Sequence, residues 1–115
     1  WPDMEVKPGD EHVIKRRYSA FIQGASNIEE VLRRRGTEMV LITGVATNVC
    51  CASTGRDCMM RGFPTIMVSD GNASFTEDEH QAALLSFITY FGDVQSTDEV
   101  IGRIKAGAKK EAGLA

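Results

Sequence analysis

Two mostly apolar segments mark the middle of the chain, at positions 39–42 and 64–68. Their side chains do not alternate between apolar and polar, which is typical of strands that helices cover on both faces. We therefore predict two buried strands of a parallel sheet. Weaker apolar patterns predict a short strand at residues 12–16 and a short edge strand that begins near Val94.

Helical signals separate the predicted strands. Ser26 and Glu29 have the spacing of a capping box, and the helix that begins there is expected to run to residue 35 and stop at Gly36. Its apolar residues recur at i, i+3 and i+4 spacing, which gives the helix one buried face. A second helix is predicted over residues 49–61 and is expected to end at Gly62.

A third helix is predicted to begin at a capping box formed by Thr76 and Glu79 and to reach residue 91. Thr97 is expected to cap a last helix that reaches residue 105, and the residues beyond it are expected to fray. This alternation of strands and helices predicts an α/β fold. The expected architecture is a Rossmann-like three-layer α/β/α sandwich, in which helices cover both faces of a parallel sheet.

The ends of the predicted strands locate the expected site. In open α/β sheets, ligands bind beyond the carboxyl ends of the strands. Residues 44–50 and 70–72 both follow a predicted strand, so we place them on the same edge of the sheet. Asp70 could serve catalysis there, but the glycine and asparagine after it also fit an aspartate that only forms a turn.

Composition narrows the function classes. The chain has 115 residues and a net charge of −3, which suits one small domain and argues against a nucleic-acid surface. No apolar run has the length of a membrane span, and the first residues lack the pattern of a signal peptide. The three cysteines and two histidines lack metal-ligand spacing, so we expect no metal and no cofactor. Reduced thiols fit a cytoplasmic protein.

Cys50 is the first candidate for chemistry. It lies in the turn between a predicted strand and the start of a predicted helix. At a helix start, unpaired backbone N–H groups and the helix dipole favour a thiolate. A thiolate can attack a carbonyl, and the same N–H groups could stabilise the oxyanion that forms. A small buried core thiol is the alternative interpretation. Cys51 and Cys58 share one face of the predicted helix and are interpreted as core residues.

Lys15 is the second candidate, because a lysine beside a thiol favours the thiolate. The alternative is an ordinary exposed lysine. His12 and His80 are weaker candidates for chemistry. His80 follows three acidic residues at the start of a predicted helix, which is typical of a surface position.

Lys15, the turn that ends at Cys50, and Asp70 occur in an order that resembles the isochorismatase-like cysteine hydrolases. The resemblance spans roughly residues 10–104 and rests on five segments: Ile14–Phe21, Leu41–Cys50, Ser53–Asp57, Val68–Ser74 and Phe91–Val94. It implies a Cys–Lys–Asp triad in which Cys50 is the nucleophile and Lys15 lies close to it. An aspartate would act as the proton shuttle.

The resemblance also implies features that side-chain patterns do not give. It implies a cis peptide bond before Ala46 and an oxyanion hole formed by the backbone N–H groups of Ala46 and Cys50. Tyr18, Phe21 and Asn48 are the residues that we expect on the substrate side.

One triad member has no match in this chain. The resemblance implies that the aspartate belongs to an N-terminal half, and no acidic residue before Lys15 ends an apolar strand. Residues 1–115 are therefore expected to be the C-terminal portion of a single domain. The N-terminal half would be a separate chain or a lost segment. Without it, we expect an exposed strand edge and an exposed apolar face.

The expected function is hydrolysis of a C–N bond in a small amide or a ureido or carbamoyl substrate, through a thioester on cysteine. Isochorismatase or nicotinamidase activity is an alternative. A non-catalytic α/β fragment or subunit that lacks the triad aspartate is a second alternative, from a different class. We expect a small-molecule substrate, the missing half and further copies of the chain as partners, and neither nucleic acid nor membrane.

Overall fold

The computed structural model describes residues 2–111 and 113. These residues form an alternating series of helices and strands, with one π-helical turn after the first strand. In chain order the elements are α1 (Ile28–Arg34), β1 (Val40–Val45), the π-helical turn (Thr47–Cys51), α2 (Ala52–Met60), β2 (Thr65–Ala73), α3 (Glu77–Tyr90), β3 (Asp93–Gln95) and α4 (Thr97–Glu111).

The strands form a parallel sheet in the order β1-β2-β3. On one face of the sheet, Met67 of β2 packs in a cluster with Leu84 and Phe87 of α3. On the opposite face, Ile66 and Val68 pack against Val100 of α4. The predicted α/β fold is confirmed, because this parallel sheet has helices on both faces.

Strand β1 lies at the edge of the described sheet, with β2 as its one neighbour there. Its apolar side chains are unevenly covered: Ile42 is buried in the core, whereas Leu41 is 40% exposed and Val45 is 71% exposed. The structure therefore shows an open strand edge with exposed apolar side chains beside it, as the sequence predicts.

Strand β2 is longer than its apolar run predicts. The predicted end of this strand at residue 68 is wrong, because β2 continues to Ala73. The register with β1 shifts between Ile42 and Gly44, and β2 bulges to accommodate the extra residues. Asn72 is 93% buried at this bulge and donates hydrogen bonds to the carbonyl oxygens of Ile42 at 2.9 Å and Val68 at 2.6 Å.

The strand predicted at residues 12–16 is also wrong. This segment has an irregular backbone, and its Arg16 N–H bonds the carbonyl of Ala25 rather than a strand. The apolar pattern of this segment is too short to distinguish a buried strand from an exposed loop. In the structure, Ile14 is 73% exposed. A strand also needs a ladder partner, which this segment does not have among the described residues.

Two predicted helix starts differ from the structure. Glu29 does not close a capping box, because its carboxylate pairs with Arg33 and Arg61 instead. The N-cap of α1 is Asn27, and the Ser26 hydroxyl accepts a hydrogen bond from Ile28 N–H. The N–H of Glu99 donates to Ser96, so Ser96 and not Thr97 caps α4.

Other helix predictions are confirmed. Thr76 and Glu79 form the expected capping box of α3, which ends within one residue of the predicted position. Gly36 and Gly62 follow α1 and α2 with positive φ angles of 66° and 93°, a conformation that favours glycine after a helix. The predicted end of the last helix at residue 105 is wrong, because α4 continues to Glu111. Of the tail that was expected to fray, residues 112, 114 and 115 lie outside the described residues. No helix in the described part of the chain is both long and apolar enough to cross a bilayer.

Close packing around Phe87 gives a prediction about stability. A Cβ atom on Gly55 of α2 would lie 2.8 Å from the buried Phe87 ring, whereas a Cβ on Gly102 of α4 would meet no atom within 4 Å. Gly55→Ala is therefore expected to destabilise the protein by about 1–3 kcal/mol through overpacking. Gly102→Ala, the matched control, is expected to stabilise α4 by about 0.5–1 kcal/mol. Urea unfolding measures both values, and equal stabilities would contradict the packing argument.

Candidate active site

Cys50 lies in the π-helical turn that follows β1. The peptide bond between Val45 and Ala46 is cis, and the Ala46 carbonyl accepts hydrogen bonds from Val49 N–H at 3.1 Å and Cys51 N–H at 3.2 Å. The second of these bonds spans five residues, so the turn is π-helical and regular α-helix begins only at Ala52. The helix start predicted at residue 49 is therefore corrected.

The three cysteines have different surroundings. All three are free thiols. Cys51 and Cys58 are buried, as predicted for core residues, and Cys50 is half-buried. Burial, together with the neighbouring Cys50, raises the pKa of Cys51 to about 11, although the charge of Lys15 acts in the opposite direction. Burial likewise raises the pKa of Cys58. Cys50 is thus the cysteine that the fold leaves accessible.

Cys50 and Lys15 open onto the same two hollows. The larger hollow has a volume of about 510 Å³ and is lined by Cys50, Lys15, Phe21, Thr54 and the residues of β1. The smaller one, of about 410 Å³, is lined by Cys50 and by the four consecutive residues from Lys15 to Tyr18. The structure therefore brings together the two candidates for chemistry, although 35 positions separate them in the sequence.

The Lys15 side chain is held by its own loop. Its Nζ atom donates hydrogen bonds to the carbonyl oxygens of Arg17 at 2.7 Å and Tyr18 at 3.3 Å. These bonds fix the ammonium group near the loop backbone. A positive charge that is held in place is better suited to stabilise a negative charge than a freely moving one.

Helix α2 fastens this loop next to Cys50. The Ser19 hydroxyl donates to the Asp57 carboxylate at 2.5 Å, and the Ala20 N–H donates to the Thr54 hydroxyl oxygen at 3.2 Å. Ser19 and Ala20 are both buried. The loop that carries Lys15 and Tyr18 is thus attached to α2, the helix that directly follows the π-helical turn Thr47–Cys51, called the cysteine turn below.

The expected substrate-side residues occupy different places. Tyr18 lines the smaller hollow and Phe21 lines the larger one. Asn48 lies in the π-helical turn, where its Oδ1 accepts a hydrogen bond from the Ser74 hydroxyl at 2.9 Å. Tyr18 and Phe21 therefore share the hollows with Cys50, whereas Asn48 is not among the residues that line either hollow.

Helix α3 also contacts the cysteine turn, through a residue that the sequence suggested was on the surface. Thr47 Oγ1 and His80 Nδ1 are hydrogen-bonded at 2.8 Å, and Thr47 is fully buried. The helical period offered a signal for this contact, since His80 precedes the core residues Ala83 and Leu84 by three and four positions.

No acidic side chain in residues 2–111 or 113 lines either hollow. Asp70 instead accepts hydrogen bonds from the Thr97 hydroxyl and the Thr97 N–H, both at 2.8 Å, and these bonds lower the pKa of its carboxyl. Asp70 therefore fixes the start of α4. The same described residues contain no group of three or more His, Cys, Asp or Glu side chains that could hold a metal ion.

Comparison with known proteins identifies relatives of similar sequence. The chain is 32% identical to the uncharacterized isochorismatase family protein YwoC of Bacillus subtilis, over 90% of this chain and 54% of the relative. It is 33% identical to nicotinamidase 3 of Arabidopsis thaliana, over 84% and 48%. It is 38% identical to the ureidoacrylate amidohydrolase RutB of Caulobacter vibrioides, over 87% and 44%. The chain spans about half the length of these relatives.

Solved structures share the fold. An isochorismatase-like hydrolase from Alkaliphilus metalliredigens superposes with a TM-score of 0.82 at 33% identity, over 90% of this chain and 55% of that one. A cysteine hydrolase from Pseudomonas syringae pv. phaseolicola gives the same TM-score and identity, over 89% and 52%. Residues 1–99 match the sequence profile of the isochorismatase domain. Because this match covers most of the chain, the chain belongs to the isochorismatase family.

Proposed function

We propose that this chain supplies the nucleophile of a hydrolase that cleaves a C–N bond in a small amide or ureido substrate. The observation that carries the proposal is that Cys50 and Lys15 line the same two hollows, the larger of which runs beside β1. Relatives named as a ureidoacrylate amidohydrolase and a nicotinamidase support amide hydrolysis. A similar structure described as a cysteine hydrolase supports a thiol nucleophile.

The proposed reaction has two stages. The Cys50 thiolate attacks the carbonyl carbon, a C–S bond forms, and an electron pair moves to the carbonyl oxygen. The backbone N–H groups of Ala46 and Cys50 stabilise this oxyanion, and Lys15 adds a positive charge. When the oxyanion collapses, the C–N bond breaks and the nitrogen leaves with a proton. Water then hydrolyses the thioester, which releases the acid and restores the thiol.

The end of the larger hollow next to Cys50 is proposed to hold the substrate. The rest of this hollow runs along the open edge of β1, where further structure is proposed to pack. Phe21 is proposed to contact the apolar part of the substrate, and Tyr18 the part that extends into the smaller hollow. Asn48 is proposed to act from the turn beside Cys50.

The proton shuttle is proposed to come from outside these 115 residues. The relatives are about twice as long as this chain, and no carboxylate of the described residues reaches the hollows. The open edge of β1 borders the larger hollow, so an additional strand there would bring further side chains to Cys50. A homo-oligomer and a cytoplasmic location remain predictions from the sequence.

The alternatives give different products. Nicotinamidase activity releases ammonia from an aromatic amide, whereas hydrolysis of the vinyl ether of isochorismate releases none. A screen of small amides, ureides and isochorismate, with detection of both ammonia and the keto acid that a hydrolysed enol ether releases, therefore separates these activities. The screen uses the protein together with the part that supplies the proton shuttle, and in that form a non-catalytic subunit would give no product with any substrate.

The reactivity of the three thiols tests the cysteine mechanism. Iodoacetamide at pH 8 is expected to alkylate Cys50 much faster than Cys51 or Cys58 in the folded protein. The reason is that Cys51 and Cys58 are buried, and the raised pKa of about 11 keeps the Cys51 thiol protonated. Mass spectrometry of the digested protein measures each rate. Equal labelling of the three thiols, or no labelling of Cys50, would contradict the proposed nucleophile.

A further inference from the structure

The cysteine turn has an attachment to α3 that its own backbone does not require. Thr47 is the first residue of the π-helical turn, and it is fully buried. Its hydroxyl is hydrogen-bonded to the Nδ1 atom of His80 at 2.8 Å across 33 positions of sequence. A buried hydroxyl that keeps this partner avoids the cost of an unsatisfied polar group.

His80 lies in the first turn of α3, next to its capped start. It follows the capping box of Thr76 and Glu79 by one residue, and its N–H bonds the Thr76 carbonyl at 3.2 Å. One and two helical turns further along the same face, Leu84 and Phe87 pack in the main hydrophobic cluster. The imidazole is therefore anchored by the helix start on one side and the core on the other.

From this geometry we infer that His80 is a positioning residue for Cys50, which acts through its hydrogen bond to Thr47. The inference rests on the proposed function, because it concerns the placement of the proposed nucleophile. Thr47 and Cys50 belong to the same π-helical turn, so the bond from α3 fixes where this turn begins. His80 is not among the residues that line the hollows with Cys50, and it is not assigned contact with substrate.

The inference predicts a specific set of rate changes. Thr47→Val keeps the side-chain shape and removes the hydroxyl, and His80→Ala removes the partner. Each variant is expected to lower kcat and the rate of Cys50 alkylation by about three- to tenfold, with little change in KM, as suits the loss of one hydrogen bond. The double variant is expected to be no slower than either single one, because both remove the same bond.

Conservative variants separate positioning from general stability. His80→Asn places a hydrogen-bonding atom near the position of Nδ1, and Thr47→Ser keeps the hydroxyl, so both are expected to stay within about twofold of the wild-type rates. Thr89→Val is the matched control, because the Thr89 hydroxyl donates to the Leu85 carbonyl on the exposed side of α3. It should leave the rate of Cys50 alkylation unchanged.

Two results would overturn the inference in different ways. Fast alkylation of wild-type Cys50, with unchanged rates in folded Thr47→Val and His80→Ala, would overturn the positioning role and leave the proposed function standing. Slow alkylation of wild-type Cys50 together with no hydrolysis would overturn both. Circular dichroism at the assay temperature confirms that each compared variant is folded.

Discussion

Cys50→Ser is expected to lower kcat for C–N hydrolysis by about 10³-fold or more, because a serine hydroxyl ionises far less readily than a thiol near neutral pH. KM should change little, since the side chains that line the hollows remain. The half-buried Cys50 is not part of the main hydrophobic cluster, so the fold should tolerate the change. The measurement is steady-state ammonia release from the best substrate of the amide and ureide screen.

Cys58→Ala is the control for this experiment. Cys58 lies on α2, is fully buried and is not among the residues that line the two hollows. Its replacement should cost some stability through a small cavity and leave kcat within about twofold of the wild-type value. If Cys50→Ser kept wild-type activity, or if both variants lost it equally, Cys50 would not be the nucleophile.

The central fold was predictable because its signals are local. The apolar runs at residues 39–42 and 64–68 indicate strands covered on both faces. Strand β2 has that character, because Met67 packs in the cluster with α3 and Ile66 packs against α4 on the other face, whereas β1 is covered less evenly. The capping box at the start of α3 involves residues three positions apart, so the pattern contains all of the information needed. The same holds for the glycines that follow α1 and α2.

Two of the predictions that failed depend on partners distant in sequence. Asn72 looked like a turn residue, but its amide N–H groups donate to carbonyl oxygens of β1 and of its own strand, and β2 continues past it. Glu29 had the spacing of a cap, but Arg61, 32 positions away, binds its carboxylate. Burial and ion pairing of this kind are decided by tertiary packing, which no window of sequence contains.

The candidate site was likewise predictable where its signals are local and not where they depend on distant contacts. The position of Cys50 after a strand could be predicted, because an apolar run and a glycine precede it. Its pairing with Lys15 came from the resemblance, and the structure places both at common hollows without the strand that the sequence predicted for Lys15. The contact between His80 and Thr47 was missed. The acidic residues before His80 suggested a surface position at the start of a helix, and this signal was followed instead of the helical period, which puts His80 on the same face as core residues.

Lys15→Met is expected to lower kcat/KM by about 10²-fold, the second largest effect on activity. Methionine keeps most of the side-chain length and removes the charge of a side chain that lines the hollows with Cys50. The loop should keep its place, since Ser19 and Ala20 attach it to α2 independently of Lys15. Steady-state kinetics and the rate of Cys50 alkylation are both expected to fall.

Two further variants show whether the charge or its placement matters. Lys15→Arg keeps the charge, but a planar guanidinium cannot reproduce the two bonds of Nζ to the carbonyls of Arg17 and Tyr18, so it should restore little activity. Lys105→Met removes an exposed charge from α4, away from the hollows, and should retain wild-type rates. Full activity of Lys15→Met would exclude Lys15 from the reaction, whereas full rescue by arginine would show that the charge alone suffices.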